Sequence, residues 1–258
     1  IIGVVIRWHD IHTIRAREAT LQDTVNLLEH KALEQQRFIH IVSHDLREPI
    51  NTITNFTGLI AEDPSVALPA HAQRYLGFVQ SGSQRIKTLL DDLLEFLHMD
   101  RHAVTLSAVA MDTVVSDVMS DLHATIERTG AHITTGPLPV VEGDATLLRV
   151  LMQNLVANAL KFCPKDRKPV VQIGGRRDGD EWLLSVADNG IGIPAEQIDH
   201  IFGMFTRLNS KKDFAGSGIG LSICRRIADL HHGRIGVQST PGQGSRFELA
   251  LPARWPQT

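Results

Sequence analysis

From about Leu21 to Ile53 the apolar positions step by alternating fours and threes: Leu21, Val25, Leu28, Ala32, Ile39, Val42, Leu46, Pro49 and Ile53, with Gln35 as the polar exception. That spacing keeps one stripe along one side of a helix and predicts a long amphipathic helix of heptad type. A second stripe, Leu76, Val79, Ser83, Ile86, Leu90, Leu93 and Leu97, predicts a second long helix. The stretch between them, AEDPSVALPAHA, is rich in helix breakers, so the two helices read as a hairpin. One narrow stripe per helix buries poorly in a single copy. Two hairpins pairing into a four-helix bundle cover both stripes, and a homodimer is the expectation. His44 stands two residues from Val42 and from Leu46, roughly 200° around the helix from each, and so is placed facing away from the stripe. Pro49 removes a helical hydrogen bond and is expected to bend the helix.

After Asp100 the pattern changes from long helices to short alternating elements. AHITT and PVVEG read as strands, and Asp144 is placed to cap a helix carrying Leu148, Leu151, Leu155, Ala159 and Phe162 on one face. VVQIGG and EWLLSVA flank the turn signal RRDGD and read as a hairpin. A later helix runs through Ile219, Ile223, Ile227 and Leu230, and RIGVQSTPGQGSRFELALP reads as two strands about a Pro-Gly turn. The fold class expected is α+β and multidomain: a coiled-coil helical hairpin, then a separate α/β sandwich.

Length and composition narrow the function. A chain of 258 residues is long for one domain and short for three. A net charge of -3 with 21% charged residues provides no broad basic field, so nucleic acid and anionic membrane are not expected as partners. Cys163 and Cys224 lack CxxC or Cys/His spacing and read as reduced thiols. The opening IIGVVI is far shorter than the about 20 apolar residues of a membrane span, and reads as the stub of a longer span or as a last β-strand. With no initiator methionine, the chain reads as a piece of something longer.

Four clusters carry chemistry. In NLVANALKF, Asn154, Asn158 and Lys161 are spaced by four and three residues, which puts two amides and an ammonium on one side of a helix. Amide oxygens suit a hard cation such as magnesium and a lysine suits phosphate, although an ordinary polar face has the same look. In DNGIGIP, Asp188 ends a strand where a carboxylate can accept from an exocyclic amine, and Gly190 and Gly192 let backbone approach a ligand; a plain turn is the alternative. In GSGIGLSI, Gly216, Gly218 and Gly220 open a helix whose free N–H groups favour phosphate. Between them FGMFTRLNSKKDFA is polar and basic, a candidate mobile cover in which Arg207, Lys211 and Lys212 either meet phosphate or are solvated loop charges.

Taken together, and in this order, the motifs resemble the catalytic core of a sensor histidine kinase of a two-component system. SHDLREP resembles the family's histidine box, NLVANALKF its asparagine box, DNGIGIP its first glycine box, IFGMF its phenylalanine box and GSGIGLSI its second glycine box. The resemblance spans about Gln35 to Pro252 and implies a dimerising phosphoacceptor hairpin over 38–100 and a catalytic ATP-binding domain over 104–254. It implies His44 as the phosphorylated nucleophile with Asp45 beside it, and ATP and magnesium (Mg2+) as cofactors. Asn158 would be the magnesium ligand, with Asn154 and Lys161 on the phosphate side. Asp188 would select adenine, Gly190, Gly192, Gly216, Gly218 and Gly220 would shape pocket and lid, and Arg207 and Ser245 would complete the ATP site. It further implies a response-regulator receiver domain as partner and a cytoplasmic core, membrane-anchored where a segment before Ile1 supplies the anchor. Four residues after His44 the family often carries threonine or asparagine; here stands Glu48, so the resemblance implies kinase activity and leaves phosphatase activity open. The version HDLREP is similar to that of phytochrome-like kinases.

The front end resembles the last strand of a PAS sensory domain (1–12) with its exit signature at Asp10 and Ile11, running into a coiled-coil signalling helix (13–37). Two other readings predict different sequences. An ATPase conformational clamp would lack the histidine box, and a silent dimeric scaffold would have lost Asn158, Asp188 or the glycines.

Overall fold

The structure is a computed structural model, and the residues it describes are 45–63, 68–99, 104–206, 214 and 217–253, together with Gln22 and Lys31. The proposed PAS strand, the signalling helix apart from Gln22 and Lys31, His44, Arg207, Lys211, Lys212 and Gly216 lie outside the described residues. The chain divides into two compact units, Ile1–Leu90 and Asp91–Thr258.

The first unit holds helix α1, described over 45–62, and most of α2, Ala70–Met99. The helical assignment of α1 continues through Pro49. Its threonine-rich stretch is poor in intrinsic helix formers, and the hydroxyls of Thr52, Thr54 and Thr57 each donate to the carbonyl four residues back. One cross-hairpin bond, Gln80 Nε2 to the Thr57 carbonyl at 3.0 Å, sets the two helices side by side. Ile50, Ser83 and Leu90 are buried, whereas Leu46, Ile53, Val79 and Ile86, all positions of the two predicted stripes, are exposed in the single chain. The stripe of α2 therefore splits. Ser83 and Leu90 turn inward, with Leu76 and Gln80 half-buried, and Val79 and Ile86 stay outside.

The second unit is built on a five-stranded sheet of order β2-β4-β5-β7-β6. Its strands are β2 His132–Thr135, β4 Val170–Asp178, β5 Glu181–Asp188, β6 Arg234–Thr240 and β7 Gly244–Pro252. β2 and β4 run parallel and every other pair is antiparallel. PVVEG does form a strand, β3 Val140–Gly143, but it joins β1 Ser107–Ala110 in a separate two-stranded sheet. β1 was not predicted; only Val109 of its four residues is buried, and its partner β3 lies some thirty residues on. The predicted turn RRDGD is shorter than its signal: Arg176, Arg177 and Asp178 continue β4, and only Gly179 and Asp180 turn.

Helices α5 Ala145–Lys161 and α6 Gly220–Leu230 lie against the sheet, and α3 Met111–Asp121 packs on α5, followed by the short α4 His123–Thr129. The core between these layers holds Leu148, Leu151, Met152 and Leu155 of α5 with Ile223 and Ile227 of α6 and Leu184, Val186 and Leu249 of the sheet. Burying side chains of this size contributes about 1.5–3 kcal/mol each. Cys163 and Cys224 are both buried free thiols, and burial pushes each thiol up from its ordinary range.

Asp144 caps α5 as the sequence predicts, its Oδ1 accepting from the N–H groups of Thr146 and Leu147. Its Oδ2 also accepts from the Thr105 N–H at 3.0 Å, and its own backbone N–H donates to His231 Nε2 at 3.0 Å. His231 is fully buried, and its Nδ1 lies 2.8 Å from the Ile227 carbonyl. A ring that accepts at Nε2 must carry its hydrogen on Nδ1, so both nitrogens are satisfied by the neutral form alone. After α6 the chain reverses at once: His232 adopts a left-handed conformation (φ 52°) and Gly233 follows at a place where a Cβ would lie 2.3 Å from the Ala250 carbonyl.

Burial lowers the His231 pKa from its ordinary value near 6.5, with His232 pushing the same way and the Ile227 hydrogen bond and Asp144 opposing. Between the lowered folded value and 6.5 the unfolded chain binds more protons, so stability from this residue is complete above about pH 6.5 and is lost as pH falls below it. Urea unfolding from pH 8 to pH 5 is expected to show that loss, and His231→Gln to flatten it. Asp144→Ala, which strips three N–H groups of their acceptor, is expected to cost about 2–3 kcal/mol in the same measurement.

Candidate active site

α5 brings the predicted polar trio into the second unit. Asn154, Asn158 and Lys161 are all half-buried, beside the apolar face that fixes the helix. Asn154 Nδ2 donates to the Val150 carbonyl at 3.0 Å, which commits the nitrogen to the helix and leaves Oδ1 turned toward the start of α6. There a Cβ on Gly220 would lie 2.4 Å from Asn154 Oδ1, so glycine is what lets α6 open against α5. Asn158 makes no side-chain hydrogen bond with a described residue, and its amide is available to a ligand. The Lys161 ammonium lies 4.3 Å from the centroid of the Phe162 ring, and that ring lies 5.2 Å from Phe214.

Asp188 ends β5 on the side of the sheet that faces the helices. Its Oδ1 accepts from Gly190 N–H at 2.7 Å and from Ser245 N–H at 3.2 Å, and its Oδ2 meets no described donor. Burial raises the carboxyl above its usual range, opposed by those two backbone hydrogen bonds. The loop after it is pinned on both sides: Ile191 N–H donates to the Phe162 carbonyl at 3.0 Å, and Gly242 N–H to the Ile191 carbonyl at 2.7 Å. Gly192 has φ 69°, and a Cβ there would lie 2.1 Å from the Thr240 carbonyl. Both glycines of the box are thus required by close backbone contact.

The start of α6 carries Gly218 (φ 81°) and Gly220, with the Ile219 N–H donating to Ser217 Oγ at 3.3 Å. Ser245 stands one residue into β7, and its backbone N–H donates to Asp188 Oδ1. Asp45 is on the exposed surface of α1, and Glu48 is exposed one turn on. His44, Arg207 and Gly216 fall among residues not described.

Four residues of this region carry no mark in the sequence reading. Gly244 (φ 102°) has the Asp188 carbonyl where a Cβ would sit, at 1.9 Å; the Gly-x-Gly of PGQGS was the available signal. Ser239 Oγ accepts from Ile193 N–H at 2.8 Å and ties it to β7. Asn189 closes the preceding loop, its Oδ1 accepting from Val170 N–H and its Nδ2 donating to the Lys168 carbonyl. Arg167 Nη1 donates to the carbonyls of Asn189 and Gly242. Each acts through contacts far apart in sequence, which no local spacing reveals.

A sheet covered by helices on one face, with amides, a buried-edge carboxylate and glycine turns gathered at one end of that layer, defines a nucleotide-binding α/β sandwich. Residues 143–254 match the family described as histidine kinase-, DNA gyrase B-, and HSP90-like ATPase, and residues 34–101 match the His Kinase A (phospho-acceptor) domain. The chain carries the catalytic core of the sensor histidine kinases, a His Kinase A domain followed by an ATP-binding domain.

It is 36% identical over 252 residues to cyanobacterial phytochrome A of Nostoc sp. (strain PCC 7120), covering 98% of this chain and 32% of that protein. It is 35% identical over 242 residues to the phytochrome-like protein Cph1 of Synechocystis sp. (strain PCC 6803), covering 94% and 32%. Among solved structures, full-length ShkA in complex with AMPPNP superposes with a TM-score of 0.65 at 25% identity, over 85% of this chain and 46% of that one. The chain spans about a third of the length of the curated relatives it matches. Among the described residues no helix is long and apolar enough to cross a membrane.

Gly220→Ala tests the close approach of α6 to α5. The added methyl must displace Asn154 Oδ1 while improving helix propensity, so calorimetric ATP affinity is expected to fall roughly tenfold with little change in melting temperature.

Proposed function

We propose that this chain autophosphorylates on His44 from ATP and passes the phosphoryl group to an aspartate of a response-regulator receiver domain, acting as a homodimer. The observation that carries the reading is Asp188, held through Oδ1 by Gly190 and Ser245 with Oδ2 open, at the same end of the second unit as the α5 amides and the glycine-rich start of α6. A carboxylate oxygen presented this way accepts from an exocyclic amine, which suits adenine. The AMPPNP complex of ShkA supports a nucleotide in the matching domain.

The amides fit a magnesium ion. Asn154 offers Oδ1 because its nitrogen is occupied, and Asn158 is uncommitted among the described residues. Neutral oxygen ligands of this kind hold magnesium while it keeps several of its waters. Bound there, the ion would offset charge on the phosphates, and Asn158 would be its principal ligand. Lys161, Gly216, Gly218, Gly220 and Arg207 would border the phosphates.

The hairpin over 38–100 supplies the acceptor, and the domain over 104–254 the donor. The lone-pair nitrogen of a neutral His44 imidazole forms the bond to the γ-phosphorus, the β–γ bridging P–O bond breaks, and ADP leaves with that electron pair. Asp45, the adjoining carboxylate, takes the proton from the other ring nitrogen. The exposed Leu46, Ile53, Val79 and Ile86 support the homodimer, since a second hairpin would bury them.

Purified chain incubated with magnesium and γ-labelled ATP is expected to gain acid-labile, base-stable label. His44→Gln and Asn158→Ala are expected to gain none. ATP binding with no label on the wild type would instead make the chain a dimeric scaffold.

A further inference from the structure

Ser239 closes the inward-facing run Ile235, Val237, Ser239 of the edge strand β6, and pairs across the sheet with Ser245 on β7. Its hydroxyl has three neighbours: the Ile193 N–H at 2.8 Å, the Gly244 carbonyl at 2.8 Å and the Ser245 hydroxyl at 2.9 Å. A serine hydroxyl has one hydrogen to give and two lone pairs to accept with. A carbonyl can only accept and an amide N–H can only donate. The hydrogen of Ser239 therefore goes to Gly244, and one of its lone pairs takes Ile193. The remaining bond has one possible direction, from the Ser245 hydroxyl to Ser239.

The consequence falls on Ser245. Its hydrogen is spent inward, so it offers only lone pairs to a molecule bound beside it. Asp188, joined to Ser245 through the backbone, has two N–H groups on Oδ1 and offers only the acceptor Oδ2. We propose that Ser239 is a specificity-positioning residue: by orienting the Ser245 hydroxyl it makes the Asp188–Ser245 edge of the nucleotide site accept hydrogen bonds only, selecting a 6-aminopurine over a 6-oxopurine. This rests on the placement of the base at Asp188 argued above.

An amine meeting that edge finds acceptors for its hydrogens. A 6-oxo oxygen meets lone pairs and loses the hydrogen bonds it had in water, which is the stronger form of discrimination. Without the Ser239 hydroxyl, the Ser245 hydrogen is free to turn outward, and the edge accepts either group.

The test is calorimetric binding of ATP and of inosine triphosphate, with magnesium, to the full chain. The wild type is expected to prefer ATP, and Ser239→Ala to lower that preference roughly three- to tenfold, the worth of one hydrogen bond. Ser239→Thr, which keeps the hydroxyl, is expected to retain it. Ser245→Ala is expected to lower the preference too, and adding Ser239→Ala to it to change nothing further, because the first acts through the second. Equal weakening of both nucleotides in Ser239→Ala, with the ratio kept, would overturn the proposal and leave Ser239 as a loop anchor. Should Ser239→Ala fail to fold, an unchanged ratio in Ser245→Ala overturns it equally. A wild type that binds both nucleotides alike removes the Asp188 assignment and this proposal with it. A wild type that prefers ATP, with a ratio no variant moves, removes this proposal alone.

Discussion

The site depends on where α5 begins. Asp144 caps the helix with Oδ1, holds the segment at Thr105 with Oδ2, and hands its own N–H to a histidine at the far end of α6. One buried carboxylate and one neutral imidazole thereby lock together the chain entering the second unit, the first turn of α5 and the last turn of α6. Every group in this small network has its partner, which is the condition under which buried polarity stabilises and does not cost. With its N-terminus fixed and eight of its residues in the core, α5 has no freedom to roll. Asn154, Asn158 and Lys161, on its later turns, inherit that rigidity.

At the other side of the site, shape is set by backbone meeting backbone. Gly192 lies against the Thr240 carbonyl, Gly244 against that of Asp188, and Gly190 against that of Phe162. Any side chain at these points would push the Asp188 loop off the ends of β6 and β7. Because the loop is this close, its N–H groups reach fixed acceptors: Ile191 on Phe162 and Ile193 on Ser239. The carboxylate at its head is consequently held through one oxygen and open at the other. Preorganisation of this kind places an acceptor before a ligand arrives, which lowers the cost of binding.

The hairpin follows a different economy. Among the described residues of its unit, Ile50, Ser83 and Leu90 are buried, and large apolar side chains such as Phe56, Leu59 and Phe78 remain exposed beside the stripe positions. These exposed side chains fit the proposed homodimer, in which a second hairpin would cover them.

Much of this was legible in the order of residues. The 3–4 stepping of apolar positions marked both hairpin helices, the Asp144 cap marked the start of α5, and the alternation around Pro241-Gly242 marked β6 and β7, because each signal depends on neighbours within a few residues. The boxes around Asn158, Asp188 and Gly220 were legible for the same reason: each is a local arrangement of side chains on one helix or one turn. The short strand β1, the inward and outward halves of the α2 stripe, the necessity of Gly244 and the hydrogen-bond direction at Ser239 were not. They depend on partners that are distant in sequence, such as Gly143 opposite Ser107, Asp188 against Gly244 and Ile193 on Ser239. The sequence by itself determined which groups could do chemistry, since that is a property of residue type and local spacing. Only the tertiary structure decided which way those groups face and which of their hydrogens are already spent, because a hydrogen bond has one donor and one acceptor and the fold chooses both.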